Sequence, residues 1–84
     1  MLTSEAVQVM VKVLAPYVGD TMARSAAEAH CRKLGFAGGP LGPEQRDVLL
    51  VKIGSGLNIF LGRDKSAAVI AEVRRALDDA GARP

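Results

Sequence analysis

Laid on a helical wheel, residues 3–18 are apolar around most of the circumference. Ala6, Val7, Val9, Met10, Val11, Val13, Leu14, Tyr17 and Val18 leave only Ser4, Glu5, Gln8 and Lys12 as a clearly polar strip. A surface helix normally carries an apolar stripe a little over about 100° wide; a helix that exceeds it is central to its domain or lies against a second chain. In a chain of 84 residues there is little material to surround a helix completely. The two sides are therefore assigned differently. Val7, Met10, Leu14 and Tyr17 are expected inside the domain, while Ala6, Val9 and Val13 form an interaction face toward another chain. A C2 homodimer is the default assembly, being the commonest closed one.

A length of 84 residues makes one domain, near the size at which a single core is just sufficient. Apolar residues are 49% of the chain, which argues against disorder. Aromatic residues are confined to Tyr17, Phe36 and Phe60. The core must be aliphatic, and no stacking platform for single-stranded nucleic acid is available. A net charge of +2 is too near balance to imply nucleic acid or an anionic membrane. Cys31 stands alone, which forbids an intramolecular disulfide and suits a reducing compartment. The start, Met1-Leu2-Thr3-Ser4-Glu5, lacks a positively charged leader, and no apolar run approaches the roughly 18 residues of a membrane span. A soluble, cytoplasmic protein without a membrane partner is expected.

Along the chain, Thr3 reads as the N-cap of the first helix, with Glu5 complementing the dipole in its first turn. Pro16 predicts a stop or kink near Leu14. Asp20 reads as the cap of a second helix over 21–34. On it Arg24, Glu28 and Arg32 form an ionic strip at i, i+4 spacing, opposite Met22, Ala23, Ala26, Ala27, His30 and Leu34. Gly35 is placed to end that helix in left-handed conformation. Residues 35–43 hold four glycines and two prolines, which predicts a loop with Phe36 and Leu41 tucked back as anchors. Pro43 fits the first position of a third helix.

Residues 48–62 admit two readings. As a helix, Leu49, Leu50, Ile53, Leu57, Phe60 and Leu61 make one face, with Lys52 and Ser55 outside. As strands, 48–53 and 57–61 flank a Gly54-Ser55-Gly56 turn. Two glycines weaken a helix by about 1 kcal/mol each relative to alanine. An isolated hairpin, however, is marginal without further support, and no other strand candidate exists. The helix is the preferred reading, with a β-hairpin at 48–61 as the alternative. Asp64 caps the last helix, which spans 66–80, buries Val69, Ile70, Val73, Leu77 and Ala80, and ends at Gly81 before a frayed tail. The expected fold is all-α: a compact bundle of four helices, or five if the third breaks at Gly54–Gly56.

Candidate chemistry is sparse. His30 and Cys31 are adjacent and point about 100° apart on a helix, so they do not share a metal ion, and the chain holds no other His or Cys. Cys31 reads as an apolar filler and His30 as a partly buried helix residue. Gly54-Ser55-Gly56 lacks the spacing of a phosphate loop; close helix packing or a hinge is the plain explanation. The acidic residues sit at caps, first turns and ionic strips, which leaves an enzyme no residues to work with. Neither a cofactor nor a metal is expected. Arg63, Lys65, Arg74 and Arg75 are a candidate basic rim beside the last helix. Asp64, Glu72, Asp78 and Asp79 are interspersed with them, which favours a solvated face over a phosphate-binding one.

The order Tyr17-Val18-Gly19-Asp20-Thr21-Met22-Ala23-Arg24, Leu34-Gly35, Leu49-Leu50, Gly56-Leu57 and Phe60-Leu61-Gly62 resembles small all-helical modules of unknown function associated with bacterial signalling proteins, such as kinases and receiver-type regulators. In those modules a short helix leads into a Gly-Pro-x-x-Ala turn, where this chain has Asp20 for the proline. The resemblance implies a regulatory role without catalytic residues. Together these observations predict a small, non-catalytic protein–protein interaction module acting on another protein or on itself through an apolar helix face. The alternative is a dimeric nucleic-acid-binding regulator using the basic rim.

Overall fold

The computed structural model describes residues 1–36 and 38–82. They form four helices: α1 (Thr3–Val18), α2 (Asp20–Lys33), α3 (Pro43–Leu61) and α4 (Arg63–Ala82). The all-α bundle expected from the sequence is the fold observed. No strand occurs among the described residues, where an isolated bridge between Leu2 and Pro40 is the extended pairing. The hairpin alternative for 48–61 is therefore set aside, and α3 runs unbroken through Gly54-Ser55-Gly56, so the bundle has four helices and not five.

Two single glycines turn the chain. Gly19 (φ 89°, ψ 155°) donates its N–H to the Ala15 carbonyl and accepts from the Ala23 N–H. Gly62 (φ 81°, ψ 162°) does the same between Asn58 and Ser66. Each glycine closes one helix and opens the next, with a positive φ that residues carrying a Cβ rarely adopt. Gly19 therefore occupies the cap position that the sequence assigns to Asp20, which becomes the first residue of α2. Gly62 likewise displaces Asp64.

The third connection is longer. The N–H groups of Gly35 and Phe36 return to the carbonyls of Arg32 and Cys31, a Schellman closure with Gly35 at φ 75°. Phe36 and Leu41 are half-buried against the core, as the loop anchors should be. The loop then touches the start of the chain. Thr3 is the first helical residue rather than the cap, and both its N–H and its hydroxyl donate to the Gly39 carbonyl. Glu5 instead accepts the Leu2 N–H at 3.0 Å.

Pro16 lies inside α1 and does not stop it. The hydrogen bond it forfeits is to the carbonyl of Lys12, four residues earlier, and both residues are exposed. The frayed tail expected over 82–84 falls, for Arg83 and Pro84, outside the described residues.

The helices form a ring in which α1 touches α2 and α4, and α3 closes the ring mainly through α4. The seam between α2 and α3 is the sparsest, and α1 and α3 face each other diagonally across the core. Met10, Leu14, Leu49, Leu50, Val69, Val73 and Leu77 fill the centre, with Ala6, Ala23 and Ala27 allowing close approach. On α2 the buried row is Ala23, Ala27 and Cys31. It is turned by one residue from the sequence expectation, so Met22 is exposed and Ala26 and His30 are half-buried.

Candidate functional site

The ring explains why α1 is apolar on two sides: α2 covers one and α4 the other. Ala6 is completely buried, while Val9 and Val13 are half-buried and rest on the core. Of the interaction face expected at Ala6, Val9 and Val13, Ala6 is thus closed inside the bundle, while Val9 and Val13 are each partly covered by it. Tyr17 moves the opposite way. It is exposed, and its hydroxyl donates to Glu72 Oε2 at 2.7 Å. That bond, with burial and the Glu72 charge adding to it, pushes the phenol pKa up.

The most exposed large apolar side chains lie instead on α3. Ile59 is 84% exposed, Val51 65% and Val48 43%. With Ser55 they share one stripe, since residues 48, 51, 55 and 59 follow helical spacing. Leu49, Leu50, Ile53 and Leu57 occupy the opposite, buried side, so α3 is the helix that is apolar nearly all round. Phe60, expected in the buried face, is 61% exposed because it lies at the end of α3 beside the sparse α2 seam. It borders an apolar cleft with Leu14, Met22, His30 and Gly56.

The glycines of α3 act differently from one another. A Cβ at Gly54 would stand 3.3 Å from Ile70 Cγ1, so the missing side chain brings α4 close. Ser66, buried on α4, donates to the Gly54 carbonyl at 3.0 Å. At Gly56 a Cβ would meet nothing within 4 Å. Ser55 donates to the Val51 carbonyl at 3.0 Å, a bond back along its own helix. The Gly54-Ser55-Gly56 stretch is thus helical, and Gly54 carries the close packing that the sequence suggested.

Two ion pairs tie α3 to α4: Arg46 to Asp78 at 2.6 Å and Arg74 to Asp47 at 2.5 Å. The second engages one residue of the expected basic rim. Arg63 and Arg74 line the groove between α3 and α4, with Arg74 engaged by Asp47. Lys65 is held on the α1 side, its Nζ 6.0 Å from the centre of the Tyr17 ring. Arg75 is exposed. The four residues of the expected basic rim are therefore divided between two sides of α4.

Burial lowers the His30 pKa from its ordinary 6.5, and the positive charges of Lys33 and Lys52 lower it further. Cys31 is buried, which pushes its thiol up, with the Glu28 charge adding to the effect. A raised thiol pKa opposes thiolate chemistry. Among the described residues, no three His, Cys, Asp or Glu side chains gather around a position for a metal ion. No helix among them is long and apolar enough to cross a membrane. No protein-family model, curated protein or solved structure matches this chain.

Val48, Val51 and Ile59 were not among the residues expected to make contacts. Their signal is that they stand outside the face formed by Leu49, Leu50, Ile53 and Leu57, but Gly54 and Gly56 leave the same stretch readable as a hairpin, in which that face does not exist.

Proposed function

We propose that this chain is a small, non-catalytic protein–protein interaction module, and that the outer face of α3 is its contact surface. The observation that carries the reading is the exposure of Ile59, Val51 and Val48 on one stripe of a helix whose other side is already committed to the core. Large apolar side chains exposed together on one helix face mark a candidate contact site. Burial of such side chains contributes about 25 cal/mol per Å² removed from water. Charged residues at the rim orient the approach. The resemblance to signalling-associated helical modules agrees in kind, since it implies a regulatory role without catalytic residues.

The test is position-resolved photocrosslinking in native cells. A benzophenone amino acid replaces Val51 or Ile59, and the same group at Gln8, on the α1 side, is the control. A discrete protein adduct from the α3 positions and none from Gln8 is the expected result. Absence of any protein adduct at Val51 and Ile59, or equal labelling from all three positions, overturns the reading.

A further inference from the structure

We propose that α2 is a lid on the bundle, which lifts as a unit while α1, α3 and α4 stay packed together. The four helices are held in place unequally. Leu14 on α1, Leu49 and Leu50 on α3, and Val73 and Leu77 on α4 are large side chains closed inside the core. α2 buries Ala23, Ala27 and Cys31. These let α2 lie close along α1, but stabilisation follows the apolar area removed from water, and small side chains bring little of it.

Polar bonds repeat the pattern. α3 is tied to α4 by Arg46–Asp78, Arg74–Asp47 and the Ser66 hydroxyl on the Gly54 carbonyl. Tyr17 ties α1 to Glu72 of α4. Among the described residues, no side-chain hydrogen bond or ion pair runs from α2 to another helix. Its seam with α3 is the sparsest of the ring and holds an apolar cleft of about 70 Å³ beside Ala26, His30 and Phe60. Lys33 on α2 and Lys52 on α3 both act on His30, so the charges flanking this seam have the same sign and do not draw the helices together.

Both ends of α2 are able to turn. Gly19, at φ 89°, is the single residue between α1 and α2. Gly35 and Phe36 close the far end through their bonds to Arg32 and Cys31, and they travel with the helix. The second turning point is Gly38, at φ 83°. Just beyond it the chain is anchored to the start of α1, where the Gly39 carbonyl accepts from Thr3 and the Leu41 N–H donates to the Met1 carbonyl. Lifting α2 leaves that anchor intact. Glycines at such hinges absorb changes of φ and ψ that other residues resist. The open form uncovers Leu14, Ile53 and Leu57, which line the cleft beside α2.

Hydrogen exchange of the whole wild-type chain, followed by NMR at increasing sub-denaturing urea, tests the lid. Amides 24–33 lie beyond the first turn of α2 and are bonded within the helix. Their protection should be at least about tenfold lower than that of the slowest amides of α1, α3 and α4. Their urea slope should be less than about half the global one, because the slope follows the surface exposed on opening. Cys31 is the one cysteine of the chain and is buried, so its alkylation is an independent probe that should follow the same shallow slope. Protection of α2 equal to that of α4, with the global urea slope at amides 24–33 and at Cys31, overturns the lid. Exchange of α2 and α3 in one shared step overturns it too, because the opening unit is then larger than α2.

Discussion

Ser66 donates its hydroxyl to the Gly54 carbonyl across the α3–α4 seam at 3.0 Å, and it does so from a buried position beside a glycine whose missing side chain makes room for Ile70. The carbonyl already belongs to the α3 helix, so the bond uses its second lone pair. Ser66→Ala should destabilise the fold by about 1 kcal/mol. Gly54→Ala sets the helical gain of alanine against a Cβ 3.3 Å from Ile70 Cγ1, so its midpoint should fall below that of Gly56→Ala. Urea unfolding checks both expectations. An unchanged midpoint for Ser66→Ala, or a Gly54→Ala midpoint at or above that of Gly56→Ala, would contradict them.

Gly56 has no such neighbour. It lies inside α3, and a Cβ there meets nothing within 4 Å. Gly56→Ala should stabilise by about 0.5–1 kcal/mol through lower unfolded-chain entropy. Gly19→Ala and Gly62→Ala, with φ of 89° and 81°, should each cost about 1–2 kcal/mol. Thermal melts of the three variants separate a helical glycine from two turning ones.

The lowered pKa of His30 gives stability a definite slope with pH. The folded state resists protonating this imidazole, mainly because burial disfavours the charge, with Lys33 and Lys52 adding repulsion. Once unfolded, the group returns to its ordinary 6.5. The unfolded chain therefore binds the proton first, and stability is full above pH 6.5 and declines as pH falls through the folded pKa. His30→Gln should flatten the part of the decline that begins near pH 6.5. Urea midpoints measured from pH 7.5 to 5.5 on both proteins test this, and parallel curves would refute it.

The sequence made the helices legible because their signals are local. Pro43 opens α3, Gly35 closes α2, and the Val69, Val73 and Leu77 spacing marks the inner side of α4. Caps were harder to place. Thr3, Asp20 and Asp64 have suitable side chains, yet Leu2, Gly19 and Gly62 occupy the cap positions, since chain reversal at a single residue demands a positive φ that Asp rarely adopts. The candidate site depended on tertiary order. Whether α1 or α3 has an uncovered side follows from how fully its neighbours in the ring pack on it, α1 by both α2 and α4 and α3 mainly by α4, and residues such as Ala6 and Ile59 do not reveal that locally. Ala6 and part of Val9 and Val13 are covered by that packing, while Val51 and Ile59 remain outside.

The contact claim is tested most directly by a benzophenone amino acid at Val48 in native cells, with and without Ile59→Lys. A discrete protein adduct at Val48 that disappears in Ile59→Lys, with the fold of the variant unchanged by circular dichroism, is the predicted result. No adduct at Val48, or an adduct that Ile59→Lys leaves undiminished, would contradict the account.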